Sequence, residues 1–411
     1  MEFVEKGDYA GARTILKFNN EKERSFIRDL WIAFCDFELG EYEEAYKTYK
    51  ELGYLDSSKY SQYIQKDNLK LYASICQFWM RNYGQIKMDI EELANNKLSN
   101  RFKLHFYQRI GDEEGVLRHH SKLEDVPADH LCLASMNFIR GHYTEALKCF
   151  KMINEQDPND TLTLYAAMCY YKLEYYDKCL ATIDQYLVKE KNSFVASNLR
   201  ACVYYKLFKI KEAQAEINPL INVYPNGFNK ILQHNFALFT NDDQCLKVWH
   251  DCIKVLPEAA CNIVLYYLKQ NQLKDAKEIA DKINPITLEE SLVKAVCYAE
   301  YGQQYGDKTA VDVAIQLFEA IGLKKEEENT ILGRQCLASS LFLTKNYEEA
   351  EIYVDSIKSY LINSDAHHFN TAQIKLRLKK FDEVVLACEL IKNEELKNTW
   401  GYIYCLTMGC N

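Results

Sequence analysis

Cysteine and histidine are the residues of this chain that could bind a metal or supply a nucleophile and its base. The 411 residues include 15 cysteines, yet no two of them have the C-x-x-C spacing that zinc and redox sites use. A free cysteine packs as a small apolar side chain, and disulfides belong to oxidising compartments. We therefore expect reduced, structural cysteines, with Cys405 and Cys410 as the least constrained pair, and we predict no metal and no cofactor.

The histidine pairs His119-His120 and His367-His368 also suggest a metal site at first sight. Adjacent residues of a helix point about 100° apart and do not readily share one ion, so we expect both pairs on a solvated or partly packed surface. Gly302 is not followed by the Gly-Lys-Ser/Thr sequence of a phosphate loop, and no nucleophile-base signature is present. The sequence predicts that the chain is not an enzyme and has no small-molecule substrate.

Charge and hydropathy exclude two further classes of partner. The formal net charge is −9, whereas a nucleic-acid partner requires a basic stripe, so none is expected. No run of 18 apolar residues is present, and we expect no membrane insertion. The opening residues MEFVEKGDYAGA read as the start of a helical repeat and not as a signal peptide.

The elements that position these residues follow a repeat that is clearest in residues 131–158. Small residues lie where two helices cross, aromatic residues fill the seam, glycine relieves the turn and proline stops the second helix. The spacing is that of a 34-residue tetratricopeptide repeat. The positions that carry the pattern here are Ala134, Gly141, Tyr143, Ala146, Phe150 and Pro158.

A marker, the small residue near the start of each second helix, extends the repeat along the chain. From the first marker to the last is 372 residues in eleven steps, a mean of about 34. In the segment GEYEEA (40–45), Gly40 and Tyr42 also match the repeat pattern, beside the marker Ala45. The strong markers are Ala12, Ala45, Gly115, Ala146, Cys179, Ala213, Ala276, Ala314 and Ala350, and the weaker ones are Ile86, Cys245 and Val384.

The pattern predicts an all-α fold, a right-handed superhelical solenoid of about twelve helix-turn-helix units that forms one domain over residues 1–411. Residues 302–312 are an insertion, and we expect a longer turn between two helices there. A concave groove for partners is typical of such arrays, and its positions here are apolar or aromatic, without a basic clamp. Each side chain either packs inside the array or contacts a partner: Phe34, Phe138, Met168, Tyr171, Tyr205 and Phe342.

Several segments go beyond the generic repeat, among them DLWIAFCDFELGEYEEA (29–45), PEAACNIVLYYL (257–268) and GRQCLAS (333–339). In these the chain resembles the family of the tetratricopeptide-repeat subunit of intraflagellar transport complex B, also called tetratricopeptide repeat protein twenty-six or transport subunit fifty-six. The resemblance implies a scaffold without catalytic activity or cofactor, bound to other complex B subunits and to ciliary cargo. It further implies a location in the cilium or flagellum and at the basal body, with a cytoplasmic pool.

Two departures and one alternative accompany this resemblance. The family's lysine-rich N-terminal extension is missing, and the chain stops within what reads as the first helix of a new repeat. We expect that half-repeat to expose Tyr402, Ile403, Tyr404, Leu406 and Met408. The alternative function is a general cytosolic repeat adaptor in another multiprotein complex, which the presence or absence of cilia in the source organism would discriminate.

Overall fold

Helices are the regular elements of the computed structural model, which describes residues 2–5, 8–18, 25–54, 66–191, 193–223, 230–240, 244–325 and 327–410. The chain divides into two compact units, Met1–Val248 and Trp249–Asn411. The helices of the first unit are α1 (Glu2–Glu5), α2 (Tyr9–Phe18), α3 (Phe26–Glu38), α4 (Tyr42–Tyr54), α5 (Lys66–Trp79), α6 (Tyr83–Asp89), α7 (Lys97–Ile110), α8 (Glu113–His120), α9 (Pro127–Ile139), α10 (Tyr143–Gln156), α11 (Asp160–Lys172), α12 (Tyr176–Lys189), α13 (Phe194–Lys206), α14 (Ile210–Val223) and α15 (Lys230–Thr240).

Helix α16 (Cys245–Cys252) spans the division, and the second unit is likewise helical in its described residues. Each helix in both units packs mainly on its neighbours in sequence, as in a repeat array. The helices of the second unit are α17 (Pro257–Lys269), α18 (Leu273–Lys282), α19 (Leu288–Tyr305), α20 (Lys308–Gly322), α21 (Ile331–Leu343), α22 (Tyr347–Ser356), α23 (Asp365–Arg377), α24 (Phe381–Glu389), α25 (Glu394–Lys397) and α26 (Trp400–Gly409).

All twelve marker residues are buried, the weak ones included. Most, such as Ala146 on α10, lie three residues into a second helix, where it meets the helix before it. The marker Gly115 is glycine for a visible reason, because a Cβ there would lie 2.4 Å from the Tyr107 ring. The first-helix residue Ala134 is also fully buried, in a core cluster that it shares with Ala146, Phe150 and Ile153 among others.

A left-handed residue five positions before the marker defines the turn between the two helices of most units. Gly40 and Gly141 both have φ of 82° there. Among the described turns, six others place a side chain in the same conformation, which costs a non-glycine residue about 1–2 kcal/mol. Those residues are Arg81, Glu174, Phe208, Asn271, Lys345 and Lys379, with φ between 57° and 66°. The turn geometry therefore repeats where the glycine signal is lost.

Two opposite substitutions test this turn. Lys345→Gly is expected to raise the free energy of unfolding by about 1 kcal/mol, because glycine tolerates the positive φ. Gly141→Ala is expected to lower it by a similar amount, since an added Cβ there meets no atom within 4 Å and only the backbone conformation is penalised. Urea unfolding of both chains provides the measurement. Shifts of the same sign in both chains would contradict the shared turn geometry.

The prediction of a longer turn over residues 302–312 is wrong. Helix α19 continues to Tyr305 and α20 begins at Lys308, so the insertion lengthens both helices instead. Gly306 takes the left-handed conformation and the Asp307 side chain caps α20, which closes the turn in two residues. Gly302 permits the close approach of the two helices, since a Cβ there would lie 2.6 Å from Val311.

Four of the six prolines lie about twelve residues after a marker, where the repeat predicts the end of a second helix, and those that the structure describes have two different roles. Pro158 lies in the short link between α10 and α11, as the pattern predicts. Pro127 and Pro257 instead open the following helices, at the position where a missing N–H costs least. Pro225 lies outside the described residues.

Helix α26 is more firmly packed than the half-repeat expectation implies. It contacts α24 and α23, and its Cys405 joins a buried cluster with Val384 and Cys388. Tyr402 and Leu406 are half-buried against that cluster. The expectation of exposure holds for the other three: Ile403, Tyr404 and Met408.

Candidate interaction surfaces

Within the part of the chain that the structure describes, an aromatic pair bridges the turn in five repeats. The first ring lies eight residues before the marker and the second three before it, with centroids 5.3–6.1 Å apart and planes inclined by 58–68°. Such tilted pairs add to the stability that burial provides. The pairs are Phe37–Tyr42, Phe78–Tyr83, Phe138–Tyr143, Tyr171–Tyr176 and Phe342–Tyr347.

The six candidate partner-groove residues are all half-buried. Phe138, Tyr171 and Phe342 each contribute the first ring of such a pair, and therefore support the turn of their own repeat. Phe34 contacts the rings of Tyr9 and Trp31 edge-on, and Tyr205 packs on Phe239 with centroids 4.9 Å apart. Met168 packs against the core cluster around Ile183. Contact of any of them with a partner stays a prediction.

The second unit contains a groove of about 380 Å³ along the first helices of three successive repeats, α19, α21 and α23. Its floor is apolar, with Ala299, Ala338, Phe342 and Ile374 among its residues. Its polar lining comes in pairs one turn apart on each helix: Glu300 and Gln303, Gln335 and Ser339, Asn370 and Gln373. We call this the unit-two groove.

These polar residues were not predicted from the sequence, although they occupy fixed positions of the repeat. Eleven residues before the markers Ala314, Ala350 and Val384 stand Gln303, Ser339 and Gln373, where the first unit has residues such as Phe34, Met168 and Cys202. Fourteen or fifteen before the same markers stand Glu300, Gln335 and Asn370. Polar residues at both positions in three successive repeats were the available signal, since the first unit has only scattered ones there, such as Ser135 and Asn198.

The prediction that both histidine pairs lie on a solvated or partly packed surface is wrong for three of the four residues. His119, His367 and His368 are buried, and only His120 is exposed. The His119 ring stacks on Tyr107 with centroids 5.4 Å apart, and its Nδ1 lies 2.7 Å from the Asn100 amide oxygen. Burial lowers the pKa of both His119 and His367, which favours the neutral ring. These histidines are polar core residues and not surface groups.

A cysteine contacts a histidine where Cys132 Sγ lies 3.4 Å from His105 Nε2. Nucleophilic cysteines need a lowered thiol pKa, usually beside a protonated histidine. Here burial raises the pKa of Cys132 to about 11 and lowers that of His105. Both shifts favour the neutral groups, so this pair is not an activated nucleophile.

Most of the remaining cysteines are buried, as expected of structural residues. Cys169, Cys179, Cys252 and Cys405 are among the buried ones, so Cys405 is more constrained than the sequence indicated. Cys149 and Cys202 are half-buried, and Cys410 is exposed. Among the described residues no three His, Cys, Asp or Glu side chains come together as a metal site.

Thiol labelling tests this distribution. At pH 8 a disulfide reagent should label one thiol of the native chain rapidly, because Cys410 is exposed whereas burial raises the pKa of thiols such as Cys169 to about 12. Cys410→Ser should remove that rapid phase, and denaturant should release the buried thiols. A rapid phase that persists in Cys410→Ser and disappears in Cys132→Ser would instead reveal an activated cysteine.

None of the helices in the described ranges combines the length and the apolar character needed to cross a lipid bilayer. The paired carboxylates Glu43-Glu44 and Glu348-Glu349 are exposed in the first turns of α4 and α22. They suit the helix dipole and lack the buried setting that acid–base catalysis needs.

This chain is similar to known proteins in both sequence and fold. The family profile described as "Intraflagellar transport protein 56" matches residues 29–410. The chain is 30% identical over 405 residues to the "Intraflagellar transport protein 56 homolog" of Caenorhabditis elegans, a match covering 92% of this chain and 69% of that protein. A chain of the crystal structure of the APC/C hetero-tetramer Cut9-Hcn1 is similar with a TM-score of 0.56 at 14% identity, covering 100% of this chain and 88% of that one. The last likeness concerns the fold alone, and it confirms the predicted all-α repeat class.

Proposed function

The chain belongs to the intraflagellar transport protein 56 family, and from that premise we propose that it is a non-catalytic scaffold of intraflagellar transport complex B. In this role it binds other complex B subunits and ciliary cargo, supports cilium assembly and helps to deliver motility components. Its places of action are the cilium or flagellum and the basal body, with a cytoplasmic pool. The observation that carries the proposal is the family match over residues 29–410.

The geometry supports a binding role over a catalytic one. The pKa shifts of Cys132 and His105 favour the neutral groups, and the paired carboxylates at the starts of α4 and α22 are exposed. Arrays of this kind act by presenting side chains to partners. We propose that residues 1–411 belong to a single solenoid, that it has no nucleic-acid, small-molecule or membrane-inserted partner, and that the residues that contact partners include some of Phe34, Phe138, Met168, Tyr171, Tyr205 and Phe342.

Affinity purification from ciliated cells tests the proposal. The tagged chain is expected to recover several complex B subunits in stoichiometric amounts, and reciprocal purification through one of those subunits should recover the chain. A matched control is the Ala146→Phe chain, whose folding we expect to be impaired. Recovery of a different assembly, with the tagged chain absent from cilia, would favour the general repeat adaptor and overturn the proposal.

A further inference from the structure

The turn between α13 and α14 exposes an aromatic side chain in an unfavourable backbone conformation. Phe208 has φ of 60° and is 90% exposed, the largest exposed fraction of any bulky apolar side chain among the described residues. The left-handed conformation is penalised in a residue with a Cβ, whereas glycine adopts it freely. An exposed ring also adds no burial energy to the fold. The fold alone therefore favours glycine at this position, and the phenylalanine indicates a role outside the fold.

The corresponding turns of the other repeats do not share this feature. Gly40 and Gly141 occupy the same position with glycine. The other described side chains in this conformation are polar, and water solvates them where they are exposed: Arg81, Glu174, Asn271, Lys345 and Lys379. Phe208 is the apolar exception among them. An apolar side chain that is unfavourably exposed in the isolated chain becomes favourable once a partner covers it.

A hydrogen-bonded backbone presents the Phe208 ring. The N–H of Phe208 donates to the Tyr205 carbonyl at 3.0 Å. The N–H of Lys209 donates to the Tyr204 carbonyl at 2.8 Å, which closes the turn after α13. Leu207 is half-buried against a core cluster of the first unit. A preorganised turn loses little conformational freedom on binding, and aromatic rings are enriched in the buried centres of protein interfaces.

Lysines surround the exposed ring. Lys206, Lys209 and Lys211 are all exposed, and none of them forms an ion pair with another described residue. Ile210 adds a second exposed apolar side chain, and Glu212 is the carboxylate that follows. The chain as a whole has a net charge of −9, so this local excess of cations is distinctive. We call residues 206–211 the Phe208 turn, and its charge favours carboxylates on an occupant.

The turn of the preceding repeat distinguishes between kinds of acidic partner. Helix α11 packs on α13, so the turns that follow them lie along the same edge of the first unit. That neighbouring turn exposes carboxylates as well as a cation: Glu174, Asp177 and Lys178. Anionic membranes attract clusters of about four to eight basic residues, and nucleic acids present unbroken rows of phosphates. The neighbouring carboxylates repel both, whereas a protein surface can match charges of both signs.

We propose that the Phe208 turn docks onto another protein, whose surface offers an apolar pocket for the ring and Asp or Glu side chains that face the lysines. The proposal rests on the scaffold function and deepens it by naming the chemistry of one partner surface. The buried ring supplies much of the binding energy in such an interface, and the charges at its rim set the association rate and the salt dependence.

Site-specific crosslinking in the full chain identifies the docked surface. The probe is the photoreactive substitution Phe208→benzoylphenylalanine, expressed in ciliated cells, and Lys345→benzoylphenylalanine is the control at the equivalent turn of the second unit. We expect a discrete crosslink from position 208, which mass spectrometry maps to an apolar site flanked by Asp or Glu. No crosslink from that position, or a site without carboxylates, would overturn the proposal, as would an adduct with lipid or nucleic acid.

Opposite effects of one substitution on folding and on docking complete the test. Phe208→Gly should raise the urea midpoint of unfolding and yet reduce recovery of the crosslinked protein at least tenfold. The matched control Lys345→Gly should also raise the midpoint but change recovery less than twofold. A lower midpoint for Phe208→Gly would assign the ring to the fold and overturn the proposal, and unchanged recovery would overturn it too.

Charge reversal tests the lysines, and the identity of the crosslinked protein separates this inference from the scaffold function. Lys209→Glu with Lys211→Glu should reduce crosslinking at least fivefold, whereas the exposed control pair Lys247→Glu with Lys254→Glu should change it less than twofold. An acidic site on a protein outside complex B would uphold the docking turn and overturn the scaffold function. Purification of complex B without a crosslink from position 208 would uphold the scaffold function and overturn the docking turn.

Discussion

The Ala146→Phe chain is expected to lose about 3 kcal/mol of its free energy of unfolding. Ala146 is fully buried where α10 crosses α9, opposite the equally buried Ala134. A phenyl ring cannot enter this crossing without forcing the helices apart, and overpacking of this kind costs 1–3 kcal/mol or more. Because each repeat stabilises its neighbours, the damage should reach the adjacent units and weaken partner binding. Urea unfolding followed by circular dichroism measures the loss.

A matched control separates the crossing from the substitution. Ala181 is exposed on α12, the second helix of the next repeat. Ala181→Phe adds the same ring to the same type of helix and should change stability by less than about 0.5 kcal/mol. Equal unfolding midpoints for the two variants would contradict the assigned repeat register.

The second large effect is expected at Lys375, which ties three helices of the second unit together. Its ammonium group lies 2.5 Å from Glu351 on α22 and 2.6 Å from Glu383 on α24, with Asp355 at 3.6 Å. The side chain is 9% exposed, and that of Glu351 15%. Lys375→Met leaves Glu351 with Lys380 alone and removes the cation from the half-exposed Glu383 and Asp355, which should cost about 2 kcal/mol. Lys282→Met, which removes an exposed pair with Glu278, should cost under about 1 kcal/mol.

The pH dependence of this effect has a definite sign. Burial opposes the charge of Glu351, yet hydrogen bonds from Lys375 and Lys380 outweigh it and hold the pKa of that carboxyl below its ordinary value of 4.5. Burial lowers the pKa of Lys375, and its bonds to Glu351 and Glu383 raise it above 10.5 overall. The stabilisation is therefore complete between these two pH values and is lost below and above them. The difference between Lys375→Met and the unsubstituted chain should shrink as the pH falls below about 4.5; a difference that stays constant into acid would contradict the network.

The sequence predicted the parts of the fold that a single residue type dictates. A small residue is required where helices cross, so Ala45, Ala213, Ala276 and Ala350 could be placed by spacing and are all fully buried. Positive φ in the turns could not be predicted in the same way. Phe208 and Lys345 adopt it because the register of the repeat imposes it, although neither residue type favours it.

Burial of polar groups and the exact length of helices depend on neighbours that are distant in sequence. His119 is buried because Tyr107 and Asn100 provide a ring and an oxygen from the preceding helix. Most of the insertion at residues 302–312 is helical, because the left-handed Gly306 and the capping Asp307 make the whole turn between α19 and α20. The amides of the unit-two groove become a set only when three repeats are aligned, which is why apolar groove positions were predicted and polar ones missed.

Time-lapse imaging of the fluorescently tagged chain in a living cilium, beside a differently labelled complex B subunit, tests the central claim most directly. The scaffold account predicts that the two labels move together in both directions between base and tip at the same velocities. It also predicts that the Ala146→Phe chain is lost from the moving particles. A chain that folds and enters the cilium but does not move with complex B particles would contradict the account.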